Sequence, residues 1–215
     1  MIGVDLVDPP LPADPIEIIG DPTARQVTDH EVHESSGPTR KKWIAAAEAE
    51  YEESFVRMNA IEQSTCADLE RAGGPRGTLP MKVVWCVKPG GRYKCRAVVC
   101  GNFATRDPTE QVWTAQAETA SVMCSLRLAV LRGWEVSKID VKGAFMYAPL
   151  PPETHVVVRP PNSWCRLGIV PHGTLWTLRR AVYGLRCSPK AWGDERDRKF
   201  KSLVWEYDGH QYRSA

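Results

Sequence analysis

Residues 134–150 read WEVSKIDVKGAFMYAPL, and the reading of this stretch decides the fold. Trp134, Val136, Ile139 and Val141 give it the apolar content of a buried strand. One carboxylate, Asp140, stands near the end of that strand, ahead of a tight Lys142-Gly143-Ala144 turn and the aromatic Phe145. A charged side chain among apolar neighbours is costly unless it is paired, hydrogen-bonded or holding a metal. Open sheets also place their chemistry at strand ends. Two readings of Asp140 follow: a functional carboxylate, or a strand-end cap for the next turn.

Outward from this stretch, the 215-residue chain fits one domain of moderate size or a core domain with a tail. Its 43% apolar content suits a globular protein. A membrane span needs roughly 18 continuous apolar residues, and no stretch approaches that. The N-terminus lacks the basic start and apolar run of a signal peptide, so the expectation is an intracellular protein without membrane contact, cytoplasmic or nuclear. Seven cysteines, an odd number with no CxxC pair, point to reduced thiols rather than a zinc site.

Charge is unevenly spread. Residues 1–40 carry eight acids against two bases, a net −6, which leaves +8 on the remainder of a chain of net +2. A basic body behind an acidic tail fits an anionic partner, nucleic acid first, or an ordinary solvated basic surface. Residues 1–38, rich in Pro, Asp and Glu without apolar period, read as a disordered linker, leaving 39–215 as the folded part.

Trp43, Ala47, Tyr51, Phe55, Met58 and Ile61 recur at helical spacing and predict a helix over roughly 40–60, extendable to Leu69. Pro89-Gly90-Gly91 joins two strand patterns, Lys82–Lys88 and Arg92–Cys100, into a hairpin. Alternation sets Arg92, Lys94 and Arg96 on one face, either to grip an anion such as a triphosphate or as a plain solvated face. Met123–Arg132 predicts a short core helix ended by Gly133, and His155–Arg159 and Leu175–Arg179 predict strands. Asn162–Gly173 reads as a loop, and Ser188-Pro189 opens a helix running through Ala191–Trp205.

The order of these pieces resembles the reverse transcriptase of copia-type LTR retrotransposons, a part of their Pol polyprotein. RYKCRAVVCGNF is similar to YKARLVAKGF of that family, WEVSKIDVKGAF to WELHQLDVNNAF, HVVVRPP to VYMKQPP, and LWTLRRAVYGLRCSPKAW to CRLKKSLYGLKQSPRQW. WIAAAEAEYEE resembles its opening WxxAMxxE helix. The likeness covers about residues 43–205. It implies an α+β fold, the fingers and first half of the palm of a right-hand polymerase, with a small mostly antiparallel sheet and packed helices. It also implies RNA-directed DNA synthesis by two-metal nucleotidyl transfer, with Mg²⁺ as cofactor. The partners implied are an RNA or DNA template-primer, a dNTP and the rest of the Pol polyprotein.

By the same resemblance, Asp140 is a catalytic, metal-binding aspartate and Val141 offers a carbonyl ligand to the metal. Lys94 and Arg96 grip the triphosphate, Gly143 and Ala144 bring backbone close to it, and Phe145 underlies the sugar and rejects a 2′-hydroxyl. Tyr183 and Gly184 lie beside the nascent pair. Arg186, Ser188, Pro189 and Lys190 face the template at a helix start. The sequence departs from the family at Lys142-Gly143, at Gly101-Asn102-Phe103 and at Cys187. It contains no Asp-Asp pair, whereas the family's two further metal aspartates form a Tyr-x-Asp-Asp hairpin. The expectation is therefore a domain cut before that hairpin and inactive alone. The alternative is a non-catalytic retroelement remnant that at most binds nucleic acid through its basic surface.

Overall fold

The computed structural model of the chain describes residues 24–105, 112, 114, 116–151, 153–202, 205–207 and 212–214. It is an α+β fold built on one mixed sheet. The spine is β3 (Leu79–Val87), which pairs along its length with β4 (Tyr93–Val99) in the expected antiparallel hairpin. The C-terminal end of β3 pairs antiparallel with β1 (Arg25–Val27), and its N-terminal end pairs in parallel with β5 (Val157–Arg159). Antiparallel pairing continues the sheet through β6 (Trp176–Leu178) to β2 (Ile61–Gln63). A separate two-stranded ribbon joins β7 (Trp205–Tyr207) to β8 (Tyr212–Ser214).

The linker expected over residues 1–38 is overturned from Arg25 onward, while residues 1–23 lie outside the described residues. Beyond β1, helix α1 (Asp29–Glu34) opens on a capping box in which Thr28 and Glu31 satisfy each other's backbone N–H groups. Asp29 accepts the Trp85 indole N–H at 2.5 Å, and Val32 is fully buried. A composition rich in acids hid these contacts because Asp29 and Glu31 each meet a specific donor.

Helix α2 (Gly37–Glu50) lies on the buried face of the hairpin. Trp43 meets Tyr93 edge-on at 4.4 Å and Trp85 at 5.5 Å, and the Cys95 thiol donates to the Ala46 carbonyl at 3.3 Å. The expected single helix to residue 60 or beyond is interrupted. It widens into a π turn, Tyr51–Val56, ends at Asn59 with φ 48°, and gives way to β2 and a separate α3 (Cys66–Arg71). Widening shifts the side-chain register. Tyr51 and Phe55 thereby both reach Trp176 in stacked geometry, and Phe55 meets Trp164 edge-on. Trp164 belongs to α5 (Asn162–Arg166), where a loop was expected.

Two expectations fail together. Helix α4 (Thr119–Arg132) forms, but of its side chains Ala129 alone is buried; Val130 and Leu131 are 81% and 82% exposed. Residues 134–140 form no strand, and Val136 and Ile139 stand in solvent. A strand exists only where a neighbour completes its ladder, and among the described residues none pairs with this segment. The apolar pattern reports a surface suited to burial, and no described segment covers Val136 or Ile139.

Candidate functional site

The chain returns to the core after Asp140. Lys142 reaches back to Glu53 of the π turn at 2.8 Å. Gly143, at φ 67°, adopts the left-handed conformation that starts a tight Ala144–Tyr147 turn and buries Met146. Residues 148–150 then clip antiparallel to residues 179–181: Ala181 N–H donates to the Ala148 carbonyl at 2.9 Å and Leu150 N–H to the Arg179 carbonyl at 3.2 Å. This clip brings the 144–147 turn beside the Tyr183-Gly184 turn, and the Phe145 and Tyr183 rings meet edge-on at 5.1 Å.

The hairpin joins them from the other side. The expected alternation on β4 holds: Cys95, Ala97 and Val99 are buried, while Lys94 and Arg96 occupy the opposite, half-exposed face. The Arg96 guanidinium lies over the Tyr183 ring, 4.5 Å from its centroid. Val99 N–H donates to the Tyr183 carbonyl at 2.8 Å. The approach is so close that a Cβ on Gly184 would stand 2.0 Å from the Val99 carbonyl oxygen, and one on Gly101 2.3 Å from the Gly184 carbonyl oxygen. Glycine is required at both positions, and the Gly101 that departs from the family pattern is fixed by this contact.

Arg96, Phe145, Tyr183 and Gly184 thus form one cluster, with Lys94 on the same strand face and Gly143 and Ala144 in the adjoining turn. The Ala144 N–H is engaged with the Val141 carbonyl at 3.2 Å, which leaves that oxygen one further lone pair. Helix α6 (Ser188–Ser202) packs on the 144–147 turn. At its start the fully buried Ser188 hydroxyl donates to the Val182 carbonyl at 2.7 Å, and Pro189 follows as the next helical residue. The Arg186 guanidinium donates to the Ala104 carbonyl at 3.1 Å, and Lys190 pairs with Asp194. The positions read as template-facing therefore hold the local structure by their own hydrogen bonds.

Asp140 is exposed, on irregular chain three residues before Gly143. Two acids that the sequence reading did not single out touch the segments that carry the cluster, Glu53 at Lys142 and Glu50 at Ala97 N–H. Glu53 holds Lys142, which keeps its carboxyl below the ordinary range. Glu50, the last residue of α2, is half-buried against β4, and burial pushes its carboxyl above the ordinary value despite the nearby Arg96 charge. The WxxAMxxE resemblance contained the signal for Glu50, since its final Glu falls there.

The family profile described as reverse transcriptase (RNA-dependent DNA polymerase) matches residues 74–211, which include β3, β4, Asp140, Phe145, Tyr183 and α6. The chain belongs to the reverse transcriptase family. It is 28% identical over 139 residues to the retrovirus-related Pol polyprotein from transposon TNT 1-94 of Nicotiana tabacum, covering 61% of this chain and 10% of that protein. The retrovirus-related Pol polyprotein from transposon RE2 of Arabidopsis thaliana is 29% identical over 109 residues, 47% of this chain and 7% of its own length. The truncated transposon Ty1-A Gag-Pol polyprotein of Saccharomyces cerevisiae is 25% identical over 156 residues, 71% of this chain and 12% of its own. The chain spans about a tenth of the length of the curated relatives it matches. No solved structure matches it.

Reverse transcriptases of this family use divalent metals. Among the described residues no three His, Cys, Asp or Glu side chains converge as a metal cage. Asp140, a lone exposed carboxylate beside the Val141 carbonyl, does not by itself fit a pair of Mg²⁺ ions, which take oxygen ligands from more than one carboxylate. No described helix is long and apolar enough to cross a membrane.

Proposed function

We propose that this chain contributes the fingers and first half of the palm to an RNA-directed DNA polymerase, and that the Arg96–Tyr183–Phe145 cluster is its nucleotide-handling surface. The observation that carries this reading is the convergence of three segments, β4, the Gly143 turn and the Tyr183 turn, on one group in which a cation lies over one ring and a second ring meets that ring edge-on. Such a group matches a nucleotide in parts: Arg96 and Lys94 for the triphosphate, Phe145 as a flat wall for the sugar, and the Tyr183-Gly184 turn beside the base pair. Arg186, Ser188, Pro189 and Lys190 support the template side by fixing the start of α6. Asp140 supplies one metal-binding carboxylate, with Val141 beside it, in a Mg²⁺ site that needs further carboxylates from the Pol polyprotein. The chain alone is inactive in this reading.

The test is equilibrium binding of a dNTP to the intact chain, followed by tryptophan fluorescence. Charge-assisted hydrogen bonds contribute about 1.5–3 kcal/mol each, so Arg96→Ala should weaken binding by roughly ten- to a hundredfold. Equal affinity in both proteins would remove Arg96 from the site, and an intact chain that binds no dNTP would sink the reading.

A further inference from the structure

The outer edge of β4 is closed by two groups. Along β4 the odd-numbered residues turn their N–H groups away from β3. Val99 N–H is taken by the Tyr183 carbonyl at 2.8 Å, and Ala97 N–H by Glu50 Oε1 at 3.4 Å. Arg96 directly precedes the first of these edge positions, with its guanidinium over the Tyr183 ring. A half-buried carboxylate at Ala97 and an aromatic face under Arg96 therefore meet adjacent residues of the same strand.

We propose that Glu50 is a positioning residue: its carboxylate fixes the outer edge of β4 and holds the Arg96 guanidinium over Tyr183, and its protonation sets how much positive charge that pair offers to an anion. The anion half of this inference rests on the nucleotide-handling reading given above. The groups facing Glu50 are Arg96 and Lys94 of β4, the Cys95 thiol of the same strand and the Ser54 hydroxyl of the π turn. Burial opposes the ionised carboxylate, and the two cations favour it. An incoming polyphosphate draws on those same cations, which withdraws support from ionised Glu50. Polyphosphate binding and proton uptake at Glu50 are then coupled, and the coupling is reciprocal.

A residue that merely capped Ala97 N–H would show none of this, since a glutamine oxygen can accept that bond equally well. The experiment uses the intact chain and its Glu50→Gln variant. NMR follows the Arg96 Nε–H and the Tyr183 ring through a pH titration, and calorimetry measures the affinity for inorganic tripolyphosphate at about pH 5 and about pH 8. In the intact chain the two signals should move together, with a midpoint above the ordinary Glu value of 4.5. In the variant neither should move. A unit charge some 10 Å away at an effective dielectric of about 20 is worth on the order of tenfold in affinity. Tripolyphosphate affinity should therefore fall about tenfold more in the intact chain than in the variant over that pH range, a comparison that cancels the ligand's own ionisation. Arg96 and Tyr183 signals that titrate identically in both proteins would overturn the proposal. A shared titration lost in the variant, with no tripolyphosphate bound at either pH, would uphold Glu50 as the residue that holds Arg96 and count against the nucleotide site.

Discussion

Arg96 and Tyr183, 87 positions apart in the chain, meet as a cation over an aromatic face with 4.5 Å between guanidinium carbon and ring centroid. The contact is set by backbone: Val99 N–H donates to the Tyr183 carbonyl, three residues along from Arg96. Cation–π pairs contribute about 0.5–1 kcal/mol when exposed and about 2 kcal/mol when desolvated. A double-mutant cycle of Arg96→Ala and Tyr183→Leu, read by urea unfolding, should give a coupling of about 1 kcal/mol. Strict additivity would mean that the two groups are neighbours without interaction.

Gly184→Ala should be the most damaging small change in this region. Its φ of 92° disfavours any side chain, and the added Cβ would meet the Val99 carbonyl oxygen at 2.0 Å. Loss of stability should exceed about 3 kcal/mol. Gly90→Ala, at φ 84° but facing open space in the hairpin turn, should cost only about 1–2 kcal/mol. Comparable midpoints for the two variants in thermal unfolding would show that the packing at Gly184 is looser than described.

The Glu50 carboxyl, raised by burial, gives stability a defined pH dependence. Its contribution is fully present below the unfolded value of 4.5 and is lost as pH rises through the higher native value. Glu50→Gln should remove that slope and be more stable than the intact chain at neutral pH. Unfolding midpoints that fall with pH equally in both proteins would assign the slope to another group.

The exposed face of α4 makes a contrasting prediction. Leu131→Gln should change stability by no more than about 0.5 kcal/mol, because Leu131 is 82% exposed. Trp43→Ala, at 2% exposure between Trp85 and Tyr93, should cost about 3–5 kcal/mol. A large loss from Leu131→Gln would mean that α4 is buried in solution.

Primer extension on an RNA template with Mg²⁺ or Mn²⁺ should give no product with this chain, nor with Asp140→Asn. One carboxylate cannot place two metal ions, and misplacement of reacting groups by about 1 Å costs on the order of a hundredfold in rate. Product from the intact chain that Asp140→Asn abolishes would mean that a complete site assembles another way, for example across two copies.

The order of motifs in the sequence was enough to assign the family, and the hairpin on β3 and β4 was legible from its Pro-Gly-Gly turn and period-two alternation. Those signals are local: a turn needs its own glycines, and a strand face needs only every second residue. The start of α6 at Ser188-Pro189 was legible for the same reason. The tertiary structure alone decided what depends on a distant partner. It took Asp140 and its flanking apolar residues out of any strand, because a ladder needs a second chain segment and none pairs there among the described residues. It widened α2 into a π turn so that Tyr51 and Phe55 both meet Trp176. It ordered Asp29 and Glu31 within a segment that composition marked as disordered, because two hydrogen-bond donors, Trp85 and Thr28, were waiting for them. And it placed Glu50, one of two acids on α2, at the edge of β4 beside Arg96, where burial changes its chemistry in a way that spacing could not announce.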